Sequence, residues 1–218
     1  MLRERAGHRI VTIDNPKDRS HDCDARALSL KMLETADQDA LALLERGDPR
    51  GFDLAYARYG QRIFGFLVRL SGSRTAAEDL FQHTFMRLAE SGPYLRADSD
   101  LRAWLFTVAR NAFHSHARAR RFEARVDVEL LAMERTTSAS ADAGLAVAEL
   151  ERALVRLSES DRELLLLFAV EGLSYAEVAA VLALDQVTVR KRVSRARARL
   201  AEALDEDAPP MSKFRVSE

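Results

Sequence analysis

Glycine and proline are scarce (9 and 5 of 218 residues), and Gly72, Gly92-Pro93 and Gly172 fall between periodic apolar segments. That is the punctuation of helices joined by short connections. Asp48-Pro49 reads as an N-cap followed by proline at the first helical position. The segment it opens places Phe52, Ala55, Tyr56, Tyr59, Ile63, Phe66, Leu67 and Leu70 at helical intervals, and Gly72 ends it. Thr75-Ala76-Ala77-Glu78 has capping-box spacing, and the helix after it buries Leu80, Phe81, Thr84, Phe85 and Leu88 before Gly92-Pro93. Beyond a polar loop from Tyr94 to Asp98, Ser99 is the expected cap of a long helix with Leu101, Trp104, Leu105, Val108, Ala109 and Ala112 on one face. At that spacing Trp104 reads as packing, whereas Tyr94 sits in the loop.

Helical periodicity resumes from Leu145 to Leu157, and Ser158 or Ser160 starts a further helix that Gly172 ends. Ser174-Tyr175-Ala176-Glu177 is a second capping box. Its helix stops near Leu182, and Ala183-Leu184-Asp185 turns into a final helix from Gln186 to Ala203. No segment alternates strongly enough to predict a strand, so the expected fold class is all-α.

The organisation that follows has two helical domains, 37–125 and 145–204, joined by residues 126–144, with an extension over 1–36 and a tail over 205–218. Residues 126–144 hold the small polar run Thr136-Thr137-Ser138-Ala139-Ser140-Ala141 inside an acidic stretch. They read as a flexible linker or as a long surface loop of one domain, and the composition favours the linker. The longest apolar run, Leu164 to Val170, has seven residues, where a bilayer span needs about 20. No membrane insertion is expected. The basic first residues lead into no apolar run of signal-peptide type. Cys23 is the sole cysteine, which leaves an intrachain disulfide or a Cys-rich zinc site without partners. A reducing cytoplasm fits these features, and no metal or other cofactor is expected.

The formal net charge of −1 hides a mosaic. Residues 190–199 read RKRVSRARAR, six bases and no acid, whereas Val126 to Glu151 carry six acids against Arg135 alone. Distribution outweighs the sum for a nucleic-acid binder. Within 174–200 a short helix, a tight turn and a helix with a basic outer face form a helix-turn-helix pattern. Val178, Ala179, Leu182, Leu184, Val189 and Val193 face inward. Gln186, Thr188, Arg190, Lys191, Arg192 and Arg195 face outward and supply base-edge and phosphate donors, and Arg197 and Arg199 extend the backbone contact. The alternative is a solvated amphipathic helix, but such a face usually mixes charge signs.

Residues 77–85 (AEDLFQHTF) and 101–111 (LRAWLFTVARN) resemble the second region of sigma-70 family factors of the extracytoplasmic-function group. Residues 163–167 (ELLLL), 171–179 (EGLSYAEVA) and 195–197 (RAR) resemble the fourth region. The resemblance implies a transcription-initiation factor that binds core RNA polymerase and directs it to promoter DNA, under the control of an anti-sigma factor. It assigns polymerase binding to the helix bearing Asp79, Gln82 and Phe85. It assigns the −10 element to the loop carrying Tyr94, which receives an extruded base, and to Arg110, Asn111, His114, Arg118 and Arg121. The −35 element falls to the helix from Gln186 to Arg195. Four positions depart from the family pattern: Ala183 stands where the turn usually has glycine, Ser115-His116 replace a common Asp-Tyr pair, and His83 replaces an acid.

No glycine-rich phosphate loop, Ser/His/Asp set or paired carboxylate of catalytic type is present, so the chain is not expected to be an enzyme. His21-Asp22-Cys23 has metal-capable atoms but no distant ligand to complete a site. Two other functions fit the residues: a helix-turn-helix regulator acting on DNA without replacing the initiation factor, and a protein that binds only protein partners.

Overall fold

The computed structural model describes residues 36–126 and 145–207, all of the regular structure being helical. Residues 36–45 are helical (α1). They are followed by α2 (Pro49–Ser71), α3 (Arg74–Ser91), a 3-10 turn (Gly92–Tyr94) and α4 (Leu101–Val126). The second unit holds α5 (Leu145–Arg156), α6 (Glu159–Leu165), a π-helical turn (Leu166–Val170), α7 (Tyr175–Leu182) and α8 (Gln186–Asp207). The expected extension up to residue 35, Cys23, most of the acidic linker and the last residues lie outside the described part.

The α2 prediction holds in detail. Asp48 caps it by accepting from Arg50 N at 3.0 Å, Pro49 opens it, and Gly72 closes it in the left-handed region at φ 67°. The fork that Arg50 makes on Asp48 holds that carboxyl down at about 2. Two caps differ from expectation. Ser73, not Thr75, caps α3 by accepting from Ala76 N at 3.3 Å, while Glu78 pairs with Arg74 instead of closing a box. Asp100, not Ser99, takes Ala103 N at 2.9 Å before α4. In each case an oxygen-bearing neighbour was better placed three residues before a free N–H.

Helices α2, α3 and α4 bury one apolar face each, and α1 lies across them with Ala40, Leu41 and Leu44 in the same core. Phe66 and Phe106 meet edge to face at 5.4 Å, fully buried. Trp104 is half-buried against this core, as expected of a packing residue. Leu164 to Leu167 are all buried; four consecutive leucines point around the whole helix, so this segment has neighbours on every side. One apolar cluster therefore runs through both units. Among the described residues no helix is long and apolar enough to cross a membrane.

The helix-turn-helix forms as predicted, with the Ser174–Glu177 capping box in place. The turn after α7 is a Schellman motif: Leu184 N donates to Ala179 O at 2.9 Å and Ala183 N to Ala180 O at 3.3 Å. Ala183 has φ 52°, the only positive φ among the described non-glycine residues. A Cβ is unfavourable there. Ala183→Gly is expected to raise stability by about 0.5–1 kcal/mol, after the entropy glycine adds to the unfolded chain. Urea denaturation measures it, and a loss of stability would contradict the reading of the turn.

Candidate nucleic-acid interface

The turn directs α8 by burying Val178, Ala179, Val181, Val189, Val193 and Ala196 between α7 and its neighbours. Leu182 and Leu184, expected inside, are only half-buried at the rim. Gln186, Arg190, Lys191, Arg192 and Arg195 all stand exposed on the outer side of α8, as predicted. Thr188 does not join them. Its hydroxyl donates to Asp185 Oδ2 at 2.6 Å, and its N–H donates to Asp185 Oδ1 at 2.8 Å. Asp185 is the N-cap of α8, and these bonds hold its carboxyl below the usual range. The signal for it was present, an Asp three residues before Thr188 at the start of a helix. Arg199, expected to extend the row of backbone contacts, pairs with Asp161 at 2.5 Å.

Helix α4 carries the other basic face, and three of its predicted residues meet carboxylates of α6. Arg110 Nε lies 2.7 Å from Glu163 Oε1, and His114 Nε2 lies 3.0 Å from the same oxygen. His114 Nδ1 is 3.3 Å from Glu159 Oε1, and Arg121 is 3.7 Å from Glu159 Oε2. Asn111 and Arg118 remain exposed. A cleft of about 460 Å³ between the units is lined by Arg110, His114, Arg121, Glu159 and Glu163 and by Arg192 of α8. Tyr94 is 86% exposed at the 3-10 turn, free to stack.

Further pairs join the units near the start of α4. Arg62 of α2 donates to Glu171 Oε2 at 3.1 Å and to Glu171 O at 2.5 Å. Arg102 donates to Glu171 O and, at 3.2 Å, to Glu177 Oε1. Glu177 thus serves the α7 capping box with one oxygen and the first unit with the other. Burial pushes the Glu171 carboxyl above its ordinary value, opposed by the Arg62 guanidinium. Nothing local in the sequence marked Glu159, Glu163 or Glu171, because their partners lie far away along the chain.

On α3, Asp79 and Gln82 are both exposed, and their three-residue spacing puts them on neighbouring positions of one face. Phe85 does not share that surface. It is 4% exposed and packs with Phe52, Tyr56 and Phe81 beneath it. No cluster of three or more His, Cys, Asp or Glu able to hold a metal occurs among the described residues.

Residues 55–123 match the family model for Sigma-70 region 2, and residues 148–200 match that for Sigma-70 region 4. The ECF RNA polymerase sigma factor EcfG of Rhodopseudomonas palustris is 35% identical over 64% of this chain and 77% of its own. The RNA polymerase sigma-H factor of Pseudomonas aeruginosa is 31% identical over 83% of this chain and 97% of its own. Among solved structures, the sigma factor RpoE of Bartonella quintana, in complex with the anti-sigma factor NepR, superposes with a TM-score of 0.62. It is 32% identical, over 72% of this chain and 98% of that one. With both regions present in order and the relatives matched over most of their length, the chain belongs to the extracytoplasmic-function group of the sigma-70 family, the non-enzymatic factors of transcription initiation.

Proposed function

We propose that this chain binds core RNA polymerase and carries it to promoters by reading two DNA elements with two units, residues 37–125 and 145–204. The observation that carries the reading is the outer face of α8, where Arg190, Lys191, Arg192 and Arg195 stand exposed on a helix held by a tight turn. That helix enters the major groove at the −35 element. Asp79 and Gln82 meet the polymerase. Tyr94, Asn111, Arg118 and the α4 cations take the −10 strand, and for this Arg110, His114 and Arg121 exchange the carboxylates of Glu159 and Glu163 for phosphates. A complex with an anti-sigma factor, seen for the Bartonella quintana relative, is proposed here as the means of control.

Reconstitution with core polymerase tests the reading: transcripts with a defined start are expected. DNA retention without such transcripts would favour a helix-turn-helix regulator instead. Arg190→Ala is expected to weaken −35 binding by about 1–3 kcal/mol if a base is contacted. Unaltered affinity and salt dependence would move the recognition face elsewhere.

A further inference from the structure

The cations of α8 are held in different ways. Arg199 is neutralised by Asp161. Arg190 and Arg197 instead lie over aromatic rings, Arg190 at 5.3 Å from the centre of Tyr175 and Arg197 at 5.1 Å from that of Phe168. The two rings stack on each other, 4.6 Å apart and inclined by 27°. Arg190 and Arg197 are seven residues apart, two helical turns, and so share one side of α8. Neither makes an ion pair among the described residues.

The rings reach this place through unusual backbone. Phe168 sits in the π-helical turn Leu166–Val170, a form that recurs at functional positions. Gly172, in the left-handed region at φ 65°, reverses the chain, and the capping box at Ser174 starts α7 with Tyr175 as its first residue. Both rings are half-buried, with one face left for a guanidinium.

We infer that Tyr175 and Phe168 are positioning residues for promoter recognition, holding Arg190 and Arg197 in the posture in which they meet the −35 duplex; this rests on the function proposed above. A carboxylate anchor would cancel the charge and occupy the N–H fork. An aromatic face restrains the guanidinium while leaving its charge and its in-plane donors free for phosphate oxygens or a guanine edge. The long side chain is then ordered before DNA arrives, which lowers the entropy lost on binding.

The test uses the full chain in holoenzyme with core polymerase, titrated against a −35-bearing promoter duplex over a range of salt. Tyr175→Leu is expected to weaken binding about three- to tenfold without altering the salt slope, because no charge is lost. Tyr175→Phe restores binding, since the ring face is kept. In an Arg190→Ala background Tyr175→Leu adds no further loss. Arg190→Lys keeps the charge but lacks the planar group, and it is expected to lose affinity as Tyr175→Leu does; it leaves the α7 packing untouched should Tyr175→Leu fail to fold. Phe168→Leu and Arg197→Ala form the second cycle, with the same pattern. An equal loss from Tyr175→Leu with and without Arg190, or full affinity in Arg190→Lys, overturns the positioning role. If Arg190→Ala itself leaves affinity and salt slope as in the wild type, the −35 assignment of α8 falls as well.

Discussion

Glu163→Lys is expected to part the two units. Glu163 is 4% exposed and, among the described residues, is the carboxylate that meets both Arg110 and His114 across the interface. Replacing it with a cation removes both contacts and sets a like charge beside Arg110. Removing one member of a buried pair costs about 3–5 kcal/mol. Here the lower end applies, because Arg110 and His114 are 24% and 26% exposed and water screens them in part. About 3 kcal/mol exceeds what the other pair at this end of the interface, Arg121–Glu159, can offset, and it leaves the Arg62 and Arg102 pairs to hold the units. Small-angle scattering is expected to show a larger radius of gyration for the variant, with helical content unchanged. Adding Arg110→Glu restores the opposite-sign contact and should return the compact profile. An unchanged profile in Glu163→Lys would mean that the apolar cluster and the Arg62 and Arg102 pairs hold the units together without this ladder.

Gly51→Ala is expected to destabilise the first unit by about 3 kcal/mol, the top of the usual range for overpacking. A Cβ at Gly51 would stand 2.6 Å from Leu44 N, 2.8 Å from Ala40 O and 2.9 Å from Leu43 Cβ. Two of these are backbone atoms of α1, which cannot rotate away, so α1 would have to shift and carry Ala40, Leu41 and Leu44 out of the core. The gain in helix propensity from alanine, at most about 1 kcal/mol, is smaller and opposite in sign. Gly92→Ala is the control. The atoms nearest its Cβ would be those of the Leu44 side chain, with Cδ2 at 2.8 Å, and a leucine can change rotamer. Thermal unfolding of the two variants compares them directly; equal melting temperatures would show that α1 is not seated through Gly51.

Much of the fold was legible because helices declare themselves locally. Apolar spacing located α2 to α8, and Asp48, Ser158 and Ser174 were recognisable caps because a cap acts on N–H groups within three residues of itself. The misplaced caps at Thr75 and Ser99 show the limit: where several oxygen-bearing residues adjoin, the backbone path chooses among Ser73 and Thr75, or Ser99 and Asp100. Phe85 shows another limit, since periodicity put it on the same helix as Asp79 and Gln82 but not under the aromatic layer that covers it.

The acidic block over residues 126–151 was the conspicuous negative feature of the sequence, yet among the described residues the carboxylates that meet Arg110, His114 and Arg121 of α4 belong to α6. Likewise, the basic run of α8 reads as uniform, whereas Arg190 and Arg197 rest on rings, Arg199 is paired, and Arg192 borders the inter-unit cleft. By itself the amino-acid order determined the helices, their caps and the basic outer side of the recognition helix, because those depend on neighbours within a turn or two of chain. Only the tertiary structure decided which acid faces which base and which arginine is left free, because such pairs form across tens of residues and depend on how the helices pack.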